Sequence, residues 1–173
     1  MRALVLLCLP LILSPALGAS DLQIRAAEIT GYGIFEAASS QRQTGFSARA
    51  PAADAVKGVR FVEFTNTIPA ALGTNFGFQY IINSSPRGAE MNVTNIIRFP
   101  GEGLKRPGGR SWTESRENRK IRIGHRDFYG YAFDEPWEMV PGEWVFEVWH
   151  NNARLIRKTF TVVPTESQTA PDR

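Results

Sequence analysis

The stretch that decides the fold is Trp137–Val163, WEMVPGEWVFEVWHNNARLIRKTFTVV. Pro141-Gly142 is a turn dipeptide, because proline presets φ and glycine accepts positive φ. Beyond it the side chains alternate. Trp144, Phe146, Val148 and His150 point one way, and Val145, Glu147 and Trp149 the other. A period of two with aromatic and β-branched content specifies a strand. Asn151-Asn152 suits a short turn, since asparagine tolerates the left-handed region. From Leu155 to Val163 the alternation resumes. Ile156, Phe160 and Val162 share one face, and Arg157, Thr159 and Thr161 the other, with Leu155 at its start. The hairpin's aromatic rings read as core packing.

Working outward, the upstream chain supplies strands for this hairpin to pack against. Leu22–Ala37 contains a first strand region with Ile29, Gly31, Gly33 and Phe35 on one side. Its glycines suggest a bulge or a close backbone approach. Val59–Thr67 is a second strand, which Ile68-Pro69-Ala70 is expected to break. Asn75–Asn83 alternates most cleanly: Phe76, Phe78, Tyr80 and Ile82 against Gly77, Gln79 and Ile81. After a turn at Ser84–Gly88, Met91–Phe99 is expected to run back as its hairpin partner, with Asn95 interrupting an apolar face. Ile121–Gly124 and Asp127–Phe133 complete the strands, the latter with Tyr129, Tyr131 and Phe133 on one face. Two long loops separate these elements, Ala38–Gly58 around Phe46 and Pro100–Asn118. Glu114–Lys120, inside the second, is read as a turn of helix.

The pattern as a whole is all-β: an immunoglobulin-like antiparallel β-sandwich of about seven or eight strands with two long loops. A lipocalin-like barrel is the alternative fold. Residues 1–18 read as a secretory signal peptide, with Arg2 before the apolar run Ala3–Leu13 and small residues to Gly18. Residues 19–165 are expected to form a single β-sandwich domain, followed by an expected disordered C-terminal tail, 166–173. The expected address is periplasmic or secreted. The only cysteine, Cys8, lies inside the signal segment. The mature chain is therefore expected to fold without disulfides or thiolate metal sites. The full chain carries 20 Lys and Arg against 17 Asp and Glu. So small a surplus gives no argument for nucleic acid or a membrane surface. No apolar stretch beyond the signal approaches membrane length.

Three segments carry a resemblance. GTNFGFQYIIN (Gly73–Asn83), FPGEGLKRPGG (Phe99–Gly109) and YAFDEPWEMVPGEWVFEVWHNNARLIRKTFTV (Tyr131–Val162) resemble the exported bacterial proteins grouped as domain of unknown function 3859. The likeness runs from about Gly31 onward, and WExVPGxW is its most specific part. The resemblance implies export and a sandwich-like fold. It brings no catalytic residues with it.

Catalytic motifs are sparse. There is no GxSxG elbow, HExxH, EF-hand loop or phosphate loop. His125-x-Asp127 would place two ligands on one strand face, with Glu135 or Glu138 needed to complete a metal site. Ser111 or Ser115 with a histidine and Asp134, or paired carboxylates among Asp134, Glu135 and Glu138, would serve a small hydrolase. Neither arrangement is specific, and no cofactor is expected. The favoured reading is a non-catalytic exported interaction module that binds a protein partner through a sheet edge or loop. It would be a monomer or weak dimer. The alternative is a carbohydrate-binding module with Trp112, Tyr129, Tyr131 and Trp137 as an exposed stacking platform, beside the basic Lys105, Arg106, Arg110 and Arg116. Ring exposure separates the two: coplanar exposed aromatics favour sugar, and buried rings with a bare sheet edge favour protein.

Overall fold

The computed structural model describes residues 24–37, 59–109 and 111–165. The signal segment, the loop around Phe46, Arg110 and the C-terminal tail lie outside the described residues. Among the described residues eleven strands run in chain order: β1 (Ala26–Ala37), β2 (Val59–Glu63), β3 (Thr67–Ala70), β4 (Asn75–Asn83), β5 (Glu90–Arg98), β6 (Leu104–Lys105), β7 (Ser111–Trp112), β8 (Glu114–Arg122), β9 (Arg126–Ala132), β10 (Gly142–His150) and β11 (Ala153–Pro164). A 3-10 turn, Pro136–Glu138, precedes β10. One sheet has the order β2-β1-β4-β9 and faces a second of order β3-β11-β10-β5-β8; β6 and β7 form a small hairpin. The immunoglobulin-like sandwich expected from the alternation is the architecture found.

The closing hairpin forms as its pattern requires. β10 and β11 pair antiparallel, with Trp144 opposite Phe160 and Val148 opposite Ile156. Asn151 takes a φ of 45°, the left-handed conformation that opens the turn. Trp144, Phe146, Val148, Ile156, Phe160 and Val162 all enter the core. Phe76 of β4 meets them from the facing sheet. Its ring lies 5.4 Å from Phe160, 5.7 Å from both Trp144 and Phe146, and 5.2 Å from Phe133. Edge-to-face packing of this kind suits the ring quadrupoles and fills the space between sheets. Lys158 occupies the inward position between Ile156 and Phe160. Its ammonium lies 3.3 Å from the Tyr32 ring centroid, and burial lowers its pKa.

Four expectations need correction. β4 and β5 are not a hairpin: β4 pairs with β1 and β9, whereas β5 pairs with β10 and β8. Each buries one apolar face, so they satisfy the pattern equally well on opposite layers. Ile68-Pro69-Ala70 does not break the chain; it belongs to β3, which pairs parallel to β11 at the rim of its sheet. Proline is tolerated there because an outermost strand needs only one ladder. Glu114–Lys120 is strand β8, not helix. The second long loop also carries strands: β6, β7 and the start of β8 fall within it.

Glycines let one further cluster form outside the main core. Gly77 and Gly130 are register partners on the outward face of β4 and β9. A Cβ on Gly130 would stand 2.6 Å from the Phe128 ring. Phe128 therefore lies flat against a floor of bare backbone, 4.7 Å from Phe35. The row continues through Phe61, 6.4 Å from Phe35, to Phe64, 5.7 Å from Phe61.

Candidate functional site

Three places hold side chains that chemistry could use: the end of the sandwich around the 3-10 turn, the outer row of phenylalanines, and the seam between β8 and β9.

At the end of the sandwich, Pro136 starts the 3-10 turn and brings Glu138 under the chain. Glu138 is 6 % exposed. Its carboxylate accepts hydrogen bonds from the Asp134 and Glu135 backbone N–H groups, at 2.8 and 3.0 Å, and from the Tyr131 hydroxyl at 3.1 Å. Burial pushes the Glu138 carboxyl above the ordinary carboxylate range, although those hydrogen bonds pull it down. The Trp144 indole donates to the Val140 carbonyl at 2.9 Å, which closes the turn onto β10. Trp112 of β7 and Trp137 pack beside each other with ring centres 6.3 Å apart and planes inclined by 40°. Both are half-buried against the core, as is Tyr131.

The expected aromatic platform is therefore split. Trp112, Tyr131 and Trp137 gather at this end, but Tyr129 is only 2 % exposed and packs 5.4 Å from Phe146. It faces inward because its register partner, Phe78, does. A ring in that position offers no face to a sugar.

The hydrolase arrangement also comes apart. His125 sits in the turn before β9, and Asp134 follows its far end. A seven-residue strand holds them apart by roughly 20 Å. Asp127 is buried, accepting from the Phe128 N–H at 2.7 Å and pairing with Arg119 at 3.3 Å. Ser111 donates to the Glu102 carbonyl. Among the described residues no group of three or more His, Cys, Asp or Glu is placed to hold a metal ion.

The phenylalanine row reaches solvent at β2. Phe64 is 71 % exposed and Val62 is 46 % exposed. Isolated apolar residues on a surface need no explanation, but here they border an outermost strand. Among the described residues β2 pairs only with β1. The other sheet's outermost strand β8 instead turns Glu114, Arg116, Lys120 and Arg122 outward. Lys120 pairs with Glu90 of β5 at 3.3 Å and Glu114 with Arg98 of β5 at 2.8 Å, and the ladder continues across the sheet through Arg98–Glu147 at 3.4 Å and Arg154–Glu147 at 3.2 Å. Among the described residues β2 has only the exposed Arg60–Glu36 pair. Sequence reasoning missed the β2 patch. Its signal was the glycines Gly31 of β1, Gly77 of β4 and Gly130 of β9, whose bare backbone allows the row to form.

In the seam between β8 and β9, polar side chains point inward. Ser115, Glu117 and Arg119 lie on the inward-alternating side of β8, whose partner strand carries Asn95, and Arg119 reaches Asp127 of β9, whose partner strand carries Tyr80. Arg119 donates to the Phe128 carbonyl at 2.9 Å.

Residues 23–162 match the family model for a domain of unknown function, DUF3859. The chain belongs to the DUF3859 family. Its WExVPGxW segment is the 3-10 turn and the entry to β10, and FPGEG leads into β6 against the same turn. No curated protein matches the chain. Among solved structures, an immunoglobulin-like protein from Pseudomonas aeruginosa has a TM-score of 0.60 at 24 % identity, over 84 % of this chain and 99 % of that one. That likeness concerns the fold alone. A β-glucosidase from Erythrobacter marinus (TM-score 0.35, 14 % identity, 57 % of this chain and 14 % of that one) overlaps only in part. So does a β-glucosidase from Bifidobacterium adolescentis (TM-score 0.32, 14 % identity, 58 % and 17 %). Neither enzyme bears on what this DUF3859 domain does. Membership of the family and the immunoglobulin-like fold fit a non-catalytic module.

Proposed function

We propose that this DUF3859 chain is an exported, non-catalytic interaction module that grips a protein partner at β2. The observation that carries the reading is the exposed end of the phenylalanine row beside an outermost strand. An extended partner segment would add a strand to β2 and cover Val62 and Phe64 with its own apolar side chains. Main-chain hydrogen bonds would give affinity and the phenylalanines specificity. The apolar run Ala3–Leu13 supports the export half of the reading.

Affinity capture from the exported fraction of the source cells, comparing wild type with Phe64→Glu, tests it. Phe64 is exposed, so the variant should keep its melting midpoint. The expected result is a protein retained by wild type and lost by the variant. Capture that survives Phe64→Glu, or no capture by either, contradicts the proposal. Amino-terminal sequencing of the exported chain should begin at Ala19 or Ser20; an intact Met1 contradicts export.

The carbohydrate reading would rest on Trp112, Tyr131 and Trp137. The half-exposed tryptophan pair favours it. The 40° inclination of those rings does not provide the flat platform that stacking needs.

A further inference from the structure

Asn95 is an unusual residue for the middle of a buried strand face. Its neighbours on that face of β5 are Met91, Val93, Ile97 and Phe99, all in the core. Asn95 is itself 0 % exposed, yet neither its amide nitrogen nor its amide oxygen has a hydrogen-bond partner. The Tyr80 hydroxyl, on the facing sheet, is likewise buried and unpartnered. Glu117 is the register partner of Asn95, and its charge reaches both Tyr80 and Tyr129. The Arg119 guanidinium is already committed to Asp127 and the Phe128 carbonyl. Buried amides and hydroxyls are nearly always paired with protein or with a bound molecule.

We propose that the seam between β8 and β9 binds a hydroxyl-bearing guest, of which water is the smallest, between Asn95 and Tyr80. The chemistry follows from the amide. Its oxygen needs a donor and its nitrogen needs an acceptor, whichever way the group is turned. A cation offers no acceptor, and an anion offers no donor. A hydroxyl offers both, and its second lone pair can also accept from the tyrosine O–H. Burial first, and then the nearby Asp127 charge, raise the Tyr80 pKa, so its hydroxyl stays neutral and able to donate. A buried water typically makes about three hydrogen bonds.

A crystal structure of the mature chain tests this directly. The proposal expects density bonded to the Asn95 amide and reaching the Tyr80 hydroxyl directly or through one further peak. A single-oxygen peak would identify water, and extended density a hydroxylated small molecule retained from the cell. An empty seam overturns the proposal. Asn95→Leu gives a second readout in solution. With a guest present, the substitution strands it and lowers the melting midpoint. A raised midpoint would mean that the amide had been buried unmatched, and would overturn the proposal.

Discussion

Glu138 and Glu147 are both buried carboxylates, and their surroundings give them opposite pH behaviour. Burial raises Glu138 above the ordinary range, and its three neutral hydrogen-bond donors do not compensate. For Glu147, burial also pushes upward. The Trp149 indole, the Arg154 hydrogen bond and the charges of Arg98 and Arg154 outweigh it, so its pKa is lowered. The unfolded carboxyl titrates near pH 4.3. A raised folded pKa adds stability that is fully present below that value and lost as pH rises through the folded pKa. A lowered one adds stability that is present above it and lost as pH falls through the folded pKa. Glu138→Ala should cost about 2 kcal/mol near neutrality by stranding its donors, and the gap from wild type should widen as pH falls toward 4. Glu147→Gln should also cost about 2 kcal/mol, but its gap should narrow over the same fall. Denaturant titrations at both pH values check the pair. Phe160, fully buried among Phe76 and Phe146, should cost about 3–5 kcal/mol as Phe160→Ala, seen as a lowered denaturant midpoint. Its role was legible from alternation alone. The role of Glu138 was not, because it depends on the chain bending back through Pro136.

At the scale of elements, the legible strands were those with one apolar face. β4 and β10 match their expected spans closely, since hydrophobic period two marks them. β8 was hidden for a physical reason. Its outward residues are charged, and its inward ones begin as Ser115, Glu117 and Arg119 before Ile121. A strand at the margin of a sandwich can turn polar groups inward, which erases the hydropathy signal. The same inward polar run makes the seam that leaves Asn95 and Tyr80 facing unmatched chemistry. The short β6 and β7 were lost among glycines and prolines for a similar reason, since two-residue strands carry no period. Gly142 joins these parts. It has a φ of 128°, and a Cβ there would stand 2.7 Å from Pro100 Cβ. It thus ties the VPG turn against the FPG turn. Gly142→Ala should lower stability by at least about 1 kcal/mol, measured by thermal melting.

At the scale of the whole molecule, fold class could be read and strand order could not. Alternation says that β4 and β5 each bury a face. It does not say whether the turn between them stays in one layer or crosses to the other. The crossing places β4 at the centre of one sheet and leaves β2 outermost. Of the expected site residues, three share the sandwich end and one joined the core, because the side on which a tyrosine lies depends on register rather than composition. The proposal at this scale is that β2, outermost in its sheet among the described residues, receives a partner strand. Amide hydrogen exchange of the free mature chain tests it most directly. The account predicts slow exchange in β4 and β10, and fast exchange at the alternate β2 amides that do not bond to β1. Protection of all β2 amides to the level of β10 would show that margin already covered, and would contradict it.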